Sequence, residues 1–409
     1  DLGGGKFDEI FPSTDENGDP IDPDESILVN RAIQGRYNLG STFKPFTAFA
    51  ALDTGLLTVN DYYRDQGTYR MTSVDENKCN SGEVRCVYRN AVCPFGLPCV
   101  YGNVNVETAL AVSSDTFFYR IGELIMTEND YAPLLQEEVR KFGFGSDPGI
   151  ALPFAFDGTV PDAELKKEYA ERGVISEVEG SGYFTGDNVQ LAIGQGLLSA
   201  SPLQLAVGYS TIASRGNVLR PEIVKAIYEP GVPDSDVQGY ADLSEARLAQ
   251  EPNVHGEVVR QLPLADESWN EIDRGLTRVI TGPGTQTATA GYRSTTGEKL
   301  FFTYPSNAIP LAGKTGTAQG AGNYPWNDSS AFAAYSRDPD RPYTAVAYFE
   351  KAGYGSQAAA PAVKCMFLQM SGIAPTDPVV LSDALDTSST LPAQPRRLPD
   401  TDCFNGRCR

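Results

Sequence analysis

Residues 35–55 read GRYNLGSTFKPFTAFAALDTG. From Ser41 to Thr54 the apolar residues Phe43, Phe46, Phe49, Ala50 and Leu52 recur at helical spacing, and Gly55 stands where a C-terminal cap belongs. Apolar side chains on nearly every face mark a helix buried all round. Pro45 is compatible with that helix because first-turn amides have no intrahelical acceptor. Lys44 is the misfit. A buried helix has no structural use for an ammonium near its start, so Lys44 either reaches solvent or is held inside to act on something.

Ser41-Thr42-Phe43-Lys44 is a Ser-x-x-Lys step, and side chains at i and i+3 share one helix face. A lysine in a low-dielectric wall gives up its charge more easily and can then take a proton from the serine. The serine amide lies among the free N–H groups of a helix start, where an oxyanion could be held. The plain alternative is that Ser41 only caps the helix and Lys44 snorkels to water. Taken alone, the tetrapeptide leaves both readings open.

Lys314-Thr315-Gly316-Thr317 lies in a stretch of period two, PLAGKTGTAQ. Glycine weakens a strand, and close approach of a ligand's backbone is a common reason to keep it. Two hydroxyls and an ammonium around it can hold a carboxylate. A second lysine near Lys44 would also lower the pKa of Lys44 by repulsion. An edge-strand lysine between ordinary threonines is the alternative. Ser113-Ser114-Asp115 is the least specific of the three motifs, since Ser-x-Asp recurs at Ser13, Ser73 and Ser336, and Ser268-Trp269-Asn270 offers Ser-x-Asn. Ser268 has a structural explanation, a capping box with Glu271. Ser113 has none, and an idle Ser-Ser-Asp amid apolar residues would be costly to bury.

With 409 residues, 41% of them hydrophobic and 21% charged, the chain is globular, and it is long enough for one large domain or two ordinary ones. A net charge of −20 argues against nucleic acid, which calls for a basic face, and against docking on anionic lipid. No stretch approaches the ~18–20 apolar residues of a membrane span. The chain starts at DLGGGKFDEIF without an initiator methionine, so we expect a processed or trimmed chain. The single histidine, His255, sits in polar sequence and reads as a surface residue, so a serine nucleophile needs another base.

Seven cysteines indicate a compartment. Cys79, Cys86, Cys93 and Cys99 crowd one polar segment, and Cys403 and Cys408 close the chain. Neither Cys-x-x-Cys pairs nor histidine partners for zinc are present, so disulfides in an oxidising compartment fit better. Their pairing is not readable. Cys365, in PAVKCMFLQM, reads as a small buried apolar residue.

Along the chain, residues 1–27 are irregular and 60–103 read as a Cys-rich loop insertion. Residues 106–125 form a helix with Leu110, Phe117, Phe118 and Ile121 inward, and 188–215 a Gly-interrupted turn followed by a buried helix. Residues 266–281 form an amphipathic helix through Trp269, Ile272, Leu276 and Val279. PLAGKTGTAQ, SSAFAAYS and YTAVAYFE are strands, the last two joined by a turn at RDPDRP; helix AAPAVKCMFLQM follows. Residues 374–409 read as a loose tail. The main domain is thus 28–373, with helices early and strands late.

Ser-x-x-Lys, Ser-x-Asp and Lys-Thr-Gly in this order are the motif set of penicillin-binding proteins and serine β-lactamases. The flanks NRAIQGRYNLGSTFKPFTAFAALDTGLL and NVQLAIGQGLLSASPLQLAVGYSTIASRGNVLRPEIV resemble class B penicillin-binding proteins, the peptidoglycan D,D-transpeptidases. Asp115 makes the set most similar to the elongation-type enzymes, penicillin-binding protein 2. The resemblance implies an α/β fold of the α+β type, an antiparallel sheet flanked by helices with an all-helical subdomain beside it. It implies that Ser41 attacks the D-Ala-D-Ala end of a stem peptide, with Lys44 as base and the N–H groups of Ser41 and Thr317 holding the oxyanion. Ser113 and Lys314 would pass a proton to the leaving D-alanine, Asp115 would contact substrate or orient Lys44, and Thr315, Gly316 and Thr317 would bind the terminal carboxylate. No metal or cofactor is implied. β-Lactams would acylate Ser41, the elongation machinery would supply partners, and a membrane anchor and pedestal would precede these residues, which act outside the cytoplasm. The family's domain also begins with strands ahead of Ser-x-x-Lys, and residues 1–27 show no such pattern. A D,D-carboxypeptidase or β-lactamase, a β-lactam sensor, and a scaffold are the rival readings.

Overall fold

The computed structural model describes residues 29–82, 84–91, 97–224, 227–228, 248–250, 256–282, 298–301, 304–320 and 327–371. The expectations for the irregular start, the tail, Ser13, His255, Cys93, Cys403 and Cys408 fall outside these residues.

The described chain enters through α1 (Arg31–Gln34) and a 3₁₀ turn, Gly40–Phe43, that runs straight into α2 (Lys44–Asp53). Every residue of α2 from Lys44 to Leu52 is buried, and Pro45 sits in its first turn as the sequence required. Phe46 meets Phe142, Phe144 and Tyr209 edge-on, at ring separations of 4.9, 4.8 and 5.8 Å. Interlocked aromatic packing of this kind fixes the direction of α2, and with it the position of the turn before it.

The described part of 60–103 is more than a loop. It contains β1 (Tyr63–Asp65), β2 (Thr68–Arg70), α3 (Glu76–Ser81), β3 (Val87–Arg89) and β4 (Gly102–Val104), with β1 antiparallel to β4 and β2 antiparallel to β3. A Cys79–Cys86 disulfide ties α3 to the entry of β3. Cys99 is disulfide-bonded too, and so is Cys365, which corrects its reading as a plain apolar residue. Cys365 is indeed buried, but an apolar helical context says nothing about a sulfur's covalent partner.

Residues 106–125 are two helices rather than one. The first, α4 (Val106–Val112), ends at Ser113, which is left-handed at φ 58°, and α5 (Asp115–Thr127) begins after Ser114, whose hydroxyl accepts from the Phe117 N–H. The apolar period runs across the break because Leu110, Phe117, Phe118 and Ile121 all face one core. Next come α6 (Leu134–Arg140), α7 (Ala163–Glu171), α8 (Thr185–Leu191), the Gly194–Gly196 turn and α9 (Pro202–Ala213). Short ladders follow from β5 (Asn217–Arg220), β6 (Ile227–Tyr228), β7 (Leu248–Gln250) and β8 (Glu257–Gln261).

Ser268 does not cap the next helix, α10 (Asp266–Thr281), which already begins after Ala265. Glu271 is instead buried against α4, accepting from Asn105 Nδ2 at 2.6 Å, from the Glu107 N–H at 3.1 Å and from Arg274. A tertiary contact has thus taken over the local capping pattern.

After α11 (Glu298–Phe301), β9 (Leu311–Ala318), β10 (Ser329–Ser336) and β11 (Thr344–Phe349) form an antiparallel sheet in the order β11-β10-β9, and α12 (Ala359–Ser371) closes the described chain. Period-two alternation divides the strands between two cores. Leu311, Phe332, Ala334, Ala345 and Ala347 face Val363 and Phe367 of α12. Ala312, Ala333 and Tyr335 join the larger core of α2, α4, α5, α9 and α10. A helix-flanked antiparallel sheet beside a helical region is the α+β arrangement expected. Among the described residues no helix is long and apolar enough to cross a membrane.

Candidate active site

Ser41 lies in the 3₁₀ turn, one turn ahead of Lys44. Gly40 holds φ 53°, and its N–H donates to the Gly194 carbonyl at 2.8 Å. A Cβ at Gly40 would fall 2.4 Å from the Thr317 oxygen and 3.0 Å from the Thr317 nitrogen, so the turn that carries Ser41 rests on the backbone of β9. Gly316 serves the same contact. A Cβ there would meet the Leu39 oxygen at 2.7 Å and Thr42 Cγ2 at 2.8 Å. The strand glycine therefore makes room for the protein's own turn, a reason to keep it that the sequence did not show.

Lys44 does not snorkel. It is fully buried, and its Nζ donates to Asp115 Oδ1 at 2.6 Å, to the Ser113 carbonyl at 2.8 Å and to Ser113 Oγ at 3.0 Å. The Phe118 ring lies 5.4 Å from the ammonium. Burial lowers the pKa of Lys44, and the charge and hydrogen bond of Asp115 oppose that shift. Three N–H donors meet three acceptors here, so among the described residues the ammonium is spent on Ser113 and Asp115 rather than on Ser41.

Lys314 is fully buried on β9, where its Nζ donates to the Thr315 carbonyl at 3.2 Å. No hydrogen bond joins it to Ser113 among the described residues. Burial drives its pKa well below the usual lysine value, and repulsion from Lys44 adds to the fall. The repulsion between the two lysines falls on Lys314, not on Lys44, whose pKa it was expected to lower. Thr315 and Thr317, on the opposite strand face, line a cavity of about 530 Å³ together with Ser41, Ser113 and Asp115. Thr317 Oγ1 accepts from the Gly355 N–H at 3.3 Å.

Ser113, Ser114 and Asp115 form the corner between α4 and α5. A left-handed φ on a serine costs about 1–3 kcal/mol and persists where the surroundings enforce it. Here they do. Ser114 Oγ donates to Asp65 Oδ2 at 2.5 Å, and Asn90 Oδ1 accepts from the Thr116 N–H at 3.0 Å. Asn90 Nδ2 in turn donates to both Asp65 oxygens at 2.9 Å. Neither Asp65 nor Asn90 stood out in the sequence, because no local pattern marks a residue whose partners are 25 and 49 positions away. Gln195 was missed as well; its Nε2 donates to the Thr317 carbonyl at 3.0 Å. Its place between two left-handed glycines, Gly194 and Gly196, was the available signal.

The structure thus brings together a serine and lysine one turn apart, a hydroxyl and carboxylate on that lysine, and a Lys-Thr-Gly strand opposite. The chain belongs to the penicillin binding protein transpeptidase domain family, whose model matches residues 11–367. It is 27% identical over 293 residues to the peptidoglycan D,D-transpeptidase MrdA of Acinetobacter baumannii, covering 71% of this chain and 34% of that protein. A structure of Pseudomonas aeruginosa PBP2 in complex with WCK 5153 superposes with a TM-score of 0.60 at 27% identity, covering 86% of this chain and 68% of that one. A chain from a peptidoglycan synthase complex that coordinates polymerization and crosslinking gives a TM-score of 0.60 at 25% identity, covering 87% of this chain and 49% of that one. The chain spans 34% of the length of the Acinetobacter baumannii MrdA and 44% of that of the Haemophilus influenzae MrdA.

Proposed function

We propose that this domain is a serine D,D-transpeptidase that cross-links peptidoglycan stem peptides. The observation that carries the reading is the buried Lys44, one helical turn after Ser41 and bonded to Ser113 and Asp115. Neutral Lys44 takes the Ser41 proton as Oγ attacks the carbonyl carbon of the penultimate D-alanine. The N–H groups of Ser41 and Thr317 hold the oxyanion; the close packing of Gly40 on Thr317 supports this pairing. As the amide C–N bond breaks, Ser113 passes a proton to the departing nitrogen, and Lys314 supports that transfer. Thr315 and Thr317 hold the carboxylate of the leaving D-alanine, and Gly316 keeps their strand against the serine turn. The amine of a second stem then attacks the ester, forms the new amide and returns the proton to Ser41. None of these steps calls on a metal or an organic cofactor.

The name shared by the relatives favours a transpeptidase over a hydrolase. Likeness to a chain from a synthase complex supports partners in the elongation machinery. The disulfide at Cys79–Cys86 supports a site outside the cytoplasm, and the family resemblance supports its position at the face of the bacterial cell membrane. Inhibition by β-lactams follows from the same serine.

Intact mass after incubation with benzylpenicillin, on this chain and on Ser41→Ala, tests the nucleophile. A stoichiometric adduct that vanishes in the variant is expected; a folded chain that does not acylate would leave the scaffold reading in place. D-Alanine release that quickens on adding an acceptor amine separates transfer from hydrolysis and from a sensor.

A further inference from the structure

Arg85 and Arg89, both in the 60–103 segment, line the same cavity as Ser41, Thr315 and Thr317. Both are exposed, and neither forms an ion pair among the described residues. The two carboxylates on the cavity wall are already engaged by the protein. Asp115 binds Lys44, and Asp328 Oδ1 accepts from the Gly320 N–H at 3.1 Å. In a chain of net charge −20, two unneutralised guanidinium groups thus face the cleft that holds the nucleophile.

Their backbone is anchored at several points. Cys86, next to Arg85, is in the disulfide with Cys79, and the Arg85 guanidinium lies 4.9 Å from the Tyr88 ring. Arg89 pairs with Thr68 across the β2–β3 ladder. Its neighbour Asn90 accepts from the Thr116 N–H in the first turn of α5, the turn that carries Asp115. Tyr69 of β2 donates to Glu123 of α5 at 2.5 Å, which fastens the ladder to the same helix. The arginine pair is therefore held in register with the catalytic corner. Preorganised, planar guanidinium forks suit carboxylate recognition better than freely moving lysines would.

We propose that Arg85 and Arg89 form a carboxylate subsite for the donor peptide, engaging an acidic residue on the amino-terminal side of its D-Ala-D-Ala end. The proposal rests on the acyl-transfer reading above. The terminal carboxylate is provided for by Thr315 and Thr317 on the sheet side of the cavity. Upstream residues of a peptide seated there, with its penultimate carbonyl at Ser41, run along the remaining wall. Arg85, Arg89 and Tyr101 belong to that wall.

The test compares two donors, L-Ala-γ-D-Glu-L-Lys-D-Ala-D-Ala and the same peptide with D-isoglutamine in place of the glutamate, by D-alanine release. The wild-type chain should favour the carboxylate peptide in kcat/KM by about three- to tenfold, the range of one partly exposed charge-assisted contact. In R85Q/R89Q that ratio should fall to about one through KM, and R85K/R89K should recover part of it. Equal use of both peptides by the wild type, or an unchanged ratio in R85Q/R89Q, overturns the subsite. If the wild type releases D-alanine from neither peptide, the acyl-transfer reading fails instead. Binding of the two peptides to Ser41→Ala then decides the subsite by the same ratio.

Discussion

Lys44 and Asp115 form a 2.6 Å ion pair in which the cation is 0% exposed and the carboxylate 19%. Burial lowers the lysine's pKa, while Asp115 is the largest influence raising it. A base must be neutral to act, so in the role proposed for Lys44 the pair would set the pH at which it becomes available.

Asp115→Asn removes the group that favours protonated Lys44. The acid limb of the pH profile for benzylpenicillin acylation should therefore move to lower pH. The plateau should fall by about tenfold or more as the lysine loses its orientation. Stopped-flow acylation from pH 5 to 9 reads both effects. A limb that stays in place would detach Asp115 from the pKa of Lys44.

Lys314 tests the cost of burial. Its folded pKa lies well below its unfolded value of 10.5, so the unfolded chain binds more protons between the two values. Stability contributed by this residue therefore rises with pH across that window and is flat below it. Lys314→Met should flatten the rise in Tm between neutral pH and about pH 10. It should also abolish most of the acylation. A Tm profile parallel to that of the wild type would contradict the assignment.

Gly316→Ala places a Cβ 2.7 Å from a backbone oxygen of the serine turn, where no flexible side chain can yield. Overpacking of this kind costs about 1–3 kcal/mol and should shift the turn off β9. Urea unfolding should show the loss of stability, and acylation should slow by more than tenfold even where the variant is folded. Full acylation activity would show that the contact between turn and strand is dispensable.

Asp65 acts through others and is a positioning residue. Asp65→Ala takes the carboxylate acceptor from Ser114 and leaves Asn90 Nδ2 with only the Cys99 carbonyl, at a cost of about 1–3 kcal/mol. Because the corner that holds Ser113 loosens, kcat/KM for acylation should fall about tenfold. The Asp65 charge also raises the pKa of Lys44, so the acid limb should move toward lower pH, and Asp65→Asn should recover part of the rate but not the limb. A merely structural role would lower Tm and leave the rate of the folded fraction unchanged.

Much of the architecture was legible because it follows local periodicity. The buried α2, the amphipathic α10 and the three alternating strands each carry their period over enough residues to specify an element. The breaks were harder to read. Ser113 interrupts a helix whose apolar period continues across it, and the Ser268 capping signature gave way to a buried Glu271 that serves α4. At the site, Ser41, Lys44, Ser113 and Lys314 were legible as motif residues and Gln195 was flagged only by the glycines on either side of it, while Asp65 and Asn90 carry no local mark. Their partners arrive from distant parts of the chain.

By itself, the sequence determined which groups are available. A lysine stands one helical turn after a serine, a glycine stands in a lysine-bearing strand, and apolar faces are strong enough to bury both lysines. Only the tertiary structure decided what those groups touch. It turned Lys44 toward Ser113 and Asp115, used Gly316 for contact between strand and turn, and joined the disulfide-closed segment to the corner at Ser113–Asp115. The reason is physical: helical and strand periods depend on neighbours in sequence, whereas burial, ion pairing and pKa depend on neighbours in space.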